Sequence, residues 1–147
     1  MIDELDRKIV RAMNGNARRS FREIARDVGS SATAVINAVR KLESAGAIKG
    51  YIPVVDPRYF GFHLVAIIAV RISQGKLIET QEKVSKDPHV SAVYDVTGEW
   101  DSFIVGRFAD SEDLNGFIKK LLSFRHVDRT VTHLVLNVVK DEKRVPV

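Results

Sequence analysis

Apolar positions along this chain follow two different periods. From residue 2 to residue 46 they recur every three or four positions: Leu5, Ile9 and Met13, flanked by Ile2 and Val10; then Phe21, Ile24, Ala25 and Val28; then Val35, Val39 and Leu42. Each set is the buried stripe of one amphipathic helix. Polar residues mark the boundaries. Asp3, Glu4 and Asp6 suit the positive end of the first helix. Ser20 and Glu23 have the spacing of a capping box, in which each side chain satisfies the other's free amide. Gly29 supplies a left-handed stop, Ser30 or Ser31 caps the third helix, and Gly46 ends it.

Past residue 47 the helical period gives way to strands alternating with helices. Ile48–Val55 reads as extended, and Pro53 confines it to an edge strand or a linker, with Pro57 and Gly61 punctuating a turn. Leu64–Ile72 is an almost unbroken apolar run, as in a central strand covered on both faces. Leu77–Lys86 has helical spacing and stops at Pro88. Val90–Thr97 alternates, placing Val90, Ala92, Tyr94 and Val96 on one face. Residues 98–101 connect it to a strand over Ser102–Phe108, so the two form a hairpin. Ser111–Leu122 is a helix and Thr130–Lys140 a final long strand. The order is β-α-β-β-α-β, the ferredoxin-like arrangement with both helices on one sheet face. The fold class is therefore α+β: a helical domain at 1–50, a linker or edge strand at 51–62, and a ferredoxin-like domain at 63–147. Apolar residues on the uncovered sheet face call for a sheet-to-sheet dimer.

Charge separates the two halves. Residues 1–50 hold ten Lys/Arg against six Asp/Glu, whereas residues 51–147 hold thirteen of each. The whole excess of +4 lies with the three helices. A basic segment carrying two short helices around a glycine turn is what a helix-turn-helix needs to meet double-stranded DNA. A rotation of about 100° per residue points Thr33, Asn37, Arg40 and Ser44 away from the Val35–Val39–Leu42 stripe, with Ala34 and Lys41 beside them. Thr33 and Asn37 are placed for base edges, and an Asn amide can pair with adenine through two hydrogen bonds. Arg18, Arg19, Arg40 and Lys41 suit phosphates, as do Ser20, Ser30 and Ser31 near helix starts.

Other chemistries find little support. The chain has no cysteine, which removes thiolate metal sites, disulfides and Cys nucleophiles. His63, His89, His126 and His133 lack helical metal-site spacing. Nothing resembles a nucleophile elbow or a phosphate-binding loop, so no cofactor is expected. The longest apolar run, Leu64–Val70, is too short to cross a bilayer, and the acidic start lacks a signal-peptide pattern, so a cytoplasmic location is expected. A ferredoxin-like domain alone could still serve a small metabolic enzyme or a ligand-sensing assembly module. The basic helix pair argues against both.

The ordered set Leu5-Asp-Arg-Lys-Ile9, Asn16-Ala-Arg18, Ser20-x-x-Glu-Ile-Ala25, Leu42-Glu-x-x-Gly46, Ile48-x-Gly-Tyr51, Gly61, Gly98-x-x-Asp101 and Thr130-x-Thr132 resembles the Lrp/AsnC family of transcription regulators over essentially the full length. The resemblance implies a winged or plain helix-turn-helix head and a domain that binds an amino acid or related effector. It also implies dimers assembling into tetramers, octamers or larger rings. Carried onto this sequence, the effector site is the loop Gly98, Glu99, Trp100 and Asp101, with the Thr130 and Thr132 hydroxyls adding polar contacts. A glycine lets a ligand approach the backbone, and exposed amides there can hold a carboxylate. Asp101 is expected to meet the ligand's ammonium, and Trp100 to anchor a subunit contact. The family usually has Arg where this chain has Ala38, so one DNA contact is expected to be missing.

Overall fold

The computed structural model describes residues 2–73 and 75–147. It divides into two compact units, Met1–Val54 with Lys140–Val147, and Val55–Val139. The first unit holds three helices: α1 (Glu4–Gly15), α2 (Phe21–Val28) and α3 (Ala32–Ser44). Asp3 and Asp6 form a reciprocal capping box on α1, and Ser20 and Glu23 form the one anticipated on α2. Gly29 closes α2 in the left-handed conformation, φ 68°, where any Cβ would be strained. Ser31, not Ser30, caps α3, accepting from the Ala34 amide at 3.1 Å. Ile9, Ile24, Val35 and Val39 interlock as the core, with Ala25 and Ala38 filling the close approaches. No residue from 45 to 56 pairs as a strand among the described residues, so the head is the plain three-helix form and Ile48–Val55 is not an edge strand here.

The second unit is a four-stranded antiparallel sheet in the order β2-β3-β1-β4, formed by β1 (Leu64–Ile72), β2 (Val90–Asp95), β3 (Ser102–Phe108) and β4 (Val127–Leu134). Helices α4 (Leu77–Ser85) and α5 (Ser111–Leu122) complete the β-α-β-β-α-β order. Ala66, Ile68, Val70 and Ile72 of β1 pack with Ile104, Phe108, Val84, Phe117 and Leu121 into its core. The alternate residues, Ile67, Phe103, Val105 and Val131, lie on the other face and remain partly exposed.

Three expectations need correcting. The last strand runs over Val127–Leu134 instead of 130–140: pairing with β1 starts at Ile72 and Val127, passes a bulge at Arg71/Ile72 and ends at Ala66 and Leu134. Residues 140–147 leave the sheet domain and join the helical unit, where the Val145 and Val147 carbonyls accept from Asn14 and Arg11 of α1. On β2, an irregularity between Val90 and Ala92 inserts Ser91 into the ladder. An inserted residue breaks the two-residue alternation, so Val90 and Val93 both reach the core while Tyr94 faces outward.

Candidate nucleic-acid interface and effector loop

The outer row of α3 is built from spacing alone. Thr33, Asn37 and Arg40 are all exposed, Ala34 is half-buried beside them, and Val35, Val39 and Leu42 turn inward. Ala38 turns inward as well and is 8% exposed. Its methyl group belongs to the helical core.

The cations around this row fall into two groups. Lys41 extends its ammonium to Asp6 at 2.6 Å and Asp3 at 3.3 Å, joining α3 to α1. The Asp6 side chain is fully buried, and the Asp6 hydrogen bond raises the Lys41 ammonium above its ordinary value. Arg19 is held by the Asp27 carboxylate and the Glu23 carbonyl. Both side chains, expected to face phosphates, thus serve contacts inside the head. Arg18, Arg22, Arg26 and Arg40 are exposed and make no ion pair among the described residues. Arg22 and Arg26 escaped the sequence reading, although their spacing of four residues on α2 places them on one outer face. Ser20 and Ser31 spend their hydroxyls on caps. Ser30 is half-buried at the turn.

The effector loop closes the β2–β3 hairpin. Gly98 has φ 112°, a conformation that strongly favours glycine, and open space lies where a Cβ would be. Among the described residues the amides of Gly98, Glu99 and Trp100 donate to no protein acceptor. Three consecutive free amides beside a positive-φ glycine offer donors to an anion. Asp101 has a structural partner of its own. Its Oδ2 accepts from the Ile72 amide at 2.7 Å and its own amide donates to the Val70 carbonyl at 3.0 Å, so it seals the end of β1. Trp100 is half-buried beneath Arg129, whose guanidinium carbon sits 4.7 Å from the ring centroid, and Glu99 reaches Arg129 at 3.7 Å. Thr130 and Thr132 pair with Val70 and Ile68, which places them on the helix-side face of β4, opposite the face that carries Arg129. The fold therefore brings Glu99, Trp100 and Arg129 together and sets the two threonines apart from them.

Known proteins share this arrangement along the whole chain. Residues 2–43 match the AsnC-type helix-turn-helix domain, and residues 65–145 match the Lrp/AsnC ligand binding domain. An uncharacterised HTH-type transcriptional regulator of Pyrococcus abyssi is 38% identical over 145 residues, spanning 99% of both chains. Among solved structures, a transcriptional regulator from Neisseria meningitidis in complex with L-Met superposes with a TM-score of 0.90 at 27% identity, covering 99% of this chain and 97% of that one. Escherichia coli AsnC does so with a TM-score of 0.88 at 28% identity, covering 97% of each. With a DNA-reading head, a ligand-binding sheet domain and relatives named as regulators, the chain belongs to the Lrp/AsnC family of transcriptional regulators.

Proposed function

We propose that this regulator reads operator DNA with α3 and couples that reading to an amino-acid-like effector held at the 97–101 loop. Thr33 and Asn37 meet base edges in the major groove, while Arg40, Arg18, Arg22 and Arg26 contact phosphates on either side. The observation that carries this reading is the exposed Thr33–Asn37–Arg40 row beside exposed arginines that make no ion pair among the described residues. Partly exposed apolar residues on the open sheet face, Ile67, Phe103, Val105 and Val131, support a dimer formed face to face, with larger assemblies built from it. Two heads on such a dimer read an imperfect palindrome whose half-sites lie about one or more helical turns apart.

The effector part rests on the free amides of the loop and on the likeness to a regulator solved with L-Met. The test is capture of duplexes from sheared genomic DNA, followed by anisotropy titration of a retained duplex with each amino acid present. Asn37→Ala should weaken the retained duplex by about 1–3 kcal/mol while leaving random duplexes unchanged. Equal affinity of the parent and variant for the retained duplex would remove α3 from the interface.

A further inference from the structure

Antiparallel pairing sets Arg71 of β1 directly opposite Arg129 of β4, on the sheet face turned away from the helices. Side chains in such a pair stand about 4.5–5.5 Å apart at Cβ, and like charges there repel. The surroundings relieve only half of this. Arg129 has Glu99 at 3.7 Å and the Trp100 face at 4.7 Å. Arg71 is exposed and has no ion pair among the described residues. Trp100 lies against the Arg129 guanidinium, and Glu99 at 3.7 Å is beyond hydrogen-bond distance, so the Arg129 N–H groups still await a close, planar acceptor. The loop that sends Glu99 and Trp100 to Arg129 also carries the free amides of Gly98, Glu99 and Trp100.

Two positive features therefore adjoin at one corner of the sheet, an arginine pair and a run of free amides. We infer that the effector is a small dicarboxylate, an acidic amino acid being the simplest, with one carboxylate on the loop amides and the other between Arg71 and Arg129. This deepens the effector reading above and rests on it. A neutral or basic amino acid would satisfy the loop amides and leave the arginine pair unrelieved, or add to its charge.

The full-length protein is melted and titrated by calorimetry with sodium L-glutamate, sodium L-aspartate, L-leucine, L-lysine and inorganic phosphate at matched ionic strength. Saturable binding of glutamate or aspartate, with a rise in melting temperature that the other solutes do not give, is expected. Arg71→Gln removes one of the repelling charges, so it should melt no lower than the parent without ligand and bind the acidic amino acid at least tenfold more weakly. If L-leucine or L-lysine binds at least as well and Arg71→Gln is indifferent, the dicarboxylate assignment falls while the loop reading stands. Equal stabilisation by phosphate also overturns it. If no amino acid binds the parent, both readings fall together. If Arg71→Gln lowers the oligomeric state in solution, the missing anion is a carboxylate of a second copy, and the ligand assignment is wrong.

Discussion

Lys41 Nζ lies 2.6 Å from Oδ2 of Asp6, a carboxylate with no exposed side-chain surface, and this pair fastens α3 to α1. The same oxygen accepts the Asp3 amide at 2.8 Å, so one buried group serves both a helix cap and a helix–helix tie. Asp6→Ala should destabilise the head by about 1.5–3 kcal/mol, the scale of hydrogen bonds to charged groups, read from urea denaturation followed by circular dichroism.

The same geometry separates two neighbouring cations in a DNA experiment. Arg40→Ala should flatten the dependence of log K on log salt by about one unit, as expected for one lost phosphate contact. Lys41→Met should lower the urea midpoint and leave that slope unchanged, because its charge is already met by Asp3 and Asp6. An equal change of slope in both variants would return Lys41 to the DNA face.

Asp101 is a poor position for a simple ligand-contact test. Removing its carboxylate strands the Ile72 amide, so Asp101→Ala should cost about 1–3 kcal/mol of domain stability whether or not a ligand binds there. Asp101→Asn keeps an acceptor for that amide and removes the charge. Calorimetry on the Asn variant is the measurement that isolates an ammonium contact; an unchanged ligand affinity would leave Asp101 with its structural role alone.

Asp87 links stability to pH. Burial alone would raise its carboxyl, but hydrogen bonds from Lys120 and from the His89 amide and ring hold it below the ordinary carboxylate value. A depressed folded pKa stabilises the protein above the unfolded value, near 4, and that stabilisation is lost as pH falls through the folded value. Lys120→Met should therefore move the acid unfolding midpoint to higher pH, measured by circular dichroism between pH 2 and 7.

Gly106 tests how tightly the sheet packs on its helices. A Cβ there would lie 2.7 Å and 2.8 Å from ring atoms of Phe108 and 3.3 Å from the His89 carbonyl. Phe108 is fully buried, stacked on the His89 ring at 5.2 Å and tilted against Phe117 at 5.4 Å, so it has little room to yield. Gly106→Ala should cost about 1–3 kcal/mol through overpacking, visible as a lower melting temperature.

Much of this architecture was legible because local patterns and tertiary packing agree. α5 and the strands β1 and β3 begin and end where the sequence places them, since apolar period, caps and turn residues all point the same way. The differences arise where a distant partner decides. Nothing near Lys41 in the sequence reveals that Asp6, 35 residues earlier, will claim its ammonium. The face of β2 depends on the inserted Ser91, which alternation alone cannot register. Thr130 and Thr132 lie on the face opposite Arg129 because strand pairing fixes their side. The Arg71–Arg129 opposition is likewise invisible until β1 and β4 are paired.

Residues 140–147 make the sheet domain an insertion within the helical one. The reading head is therefore a two-piece assembly, with α1 presenting Arg11 and Asn14 to backbone that follows the effector domain in the chain. Anyone transplanting this head onto another sensor would have to graft two segments, 1–54 and 140–147, and leave the new sensor as the loop between them. A fusion cut at residue 54 alone would leave those α1 side chains facing water.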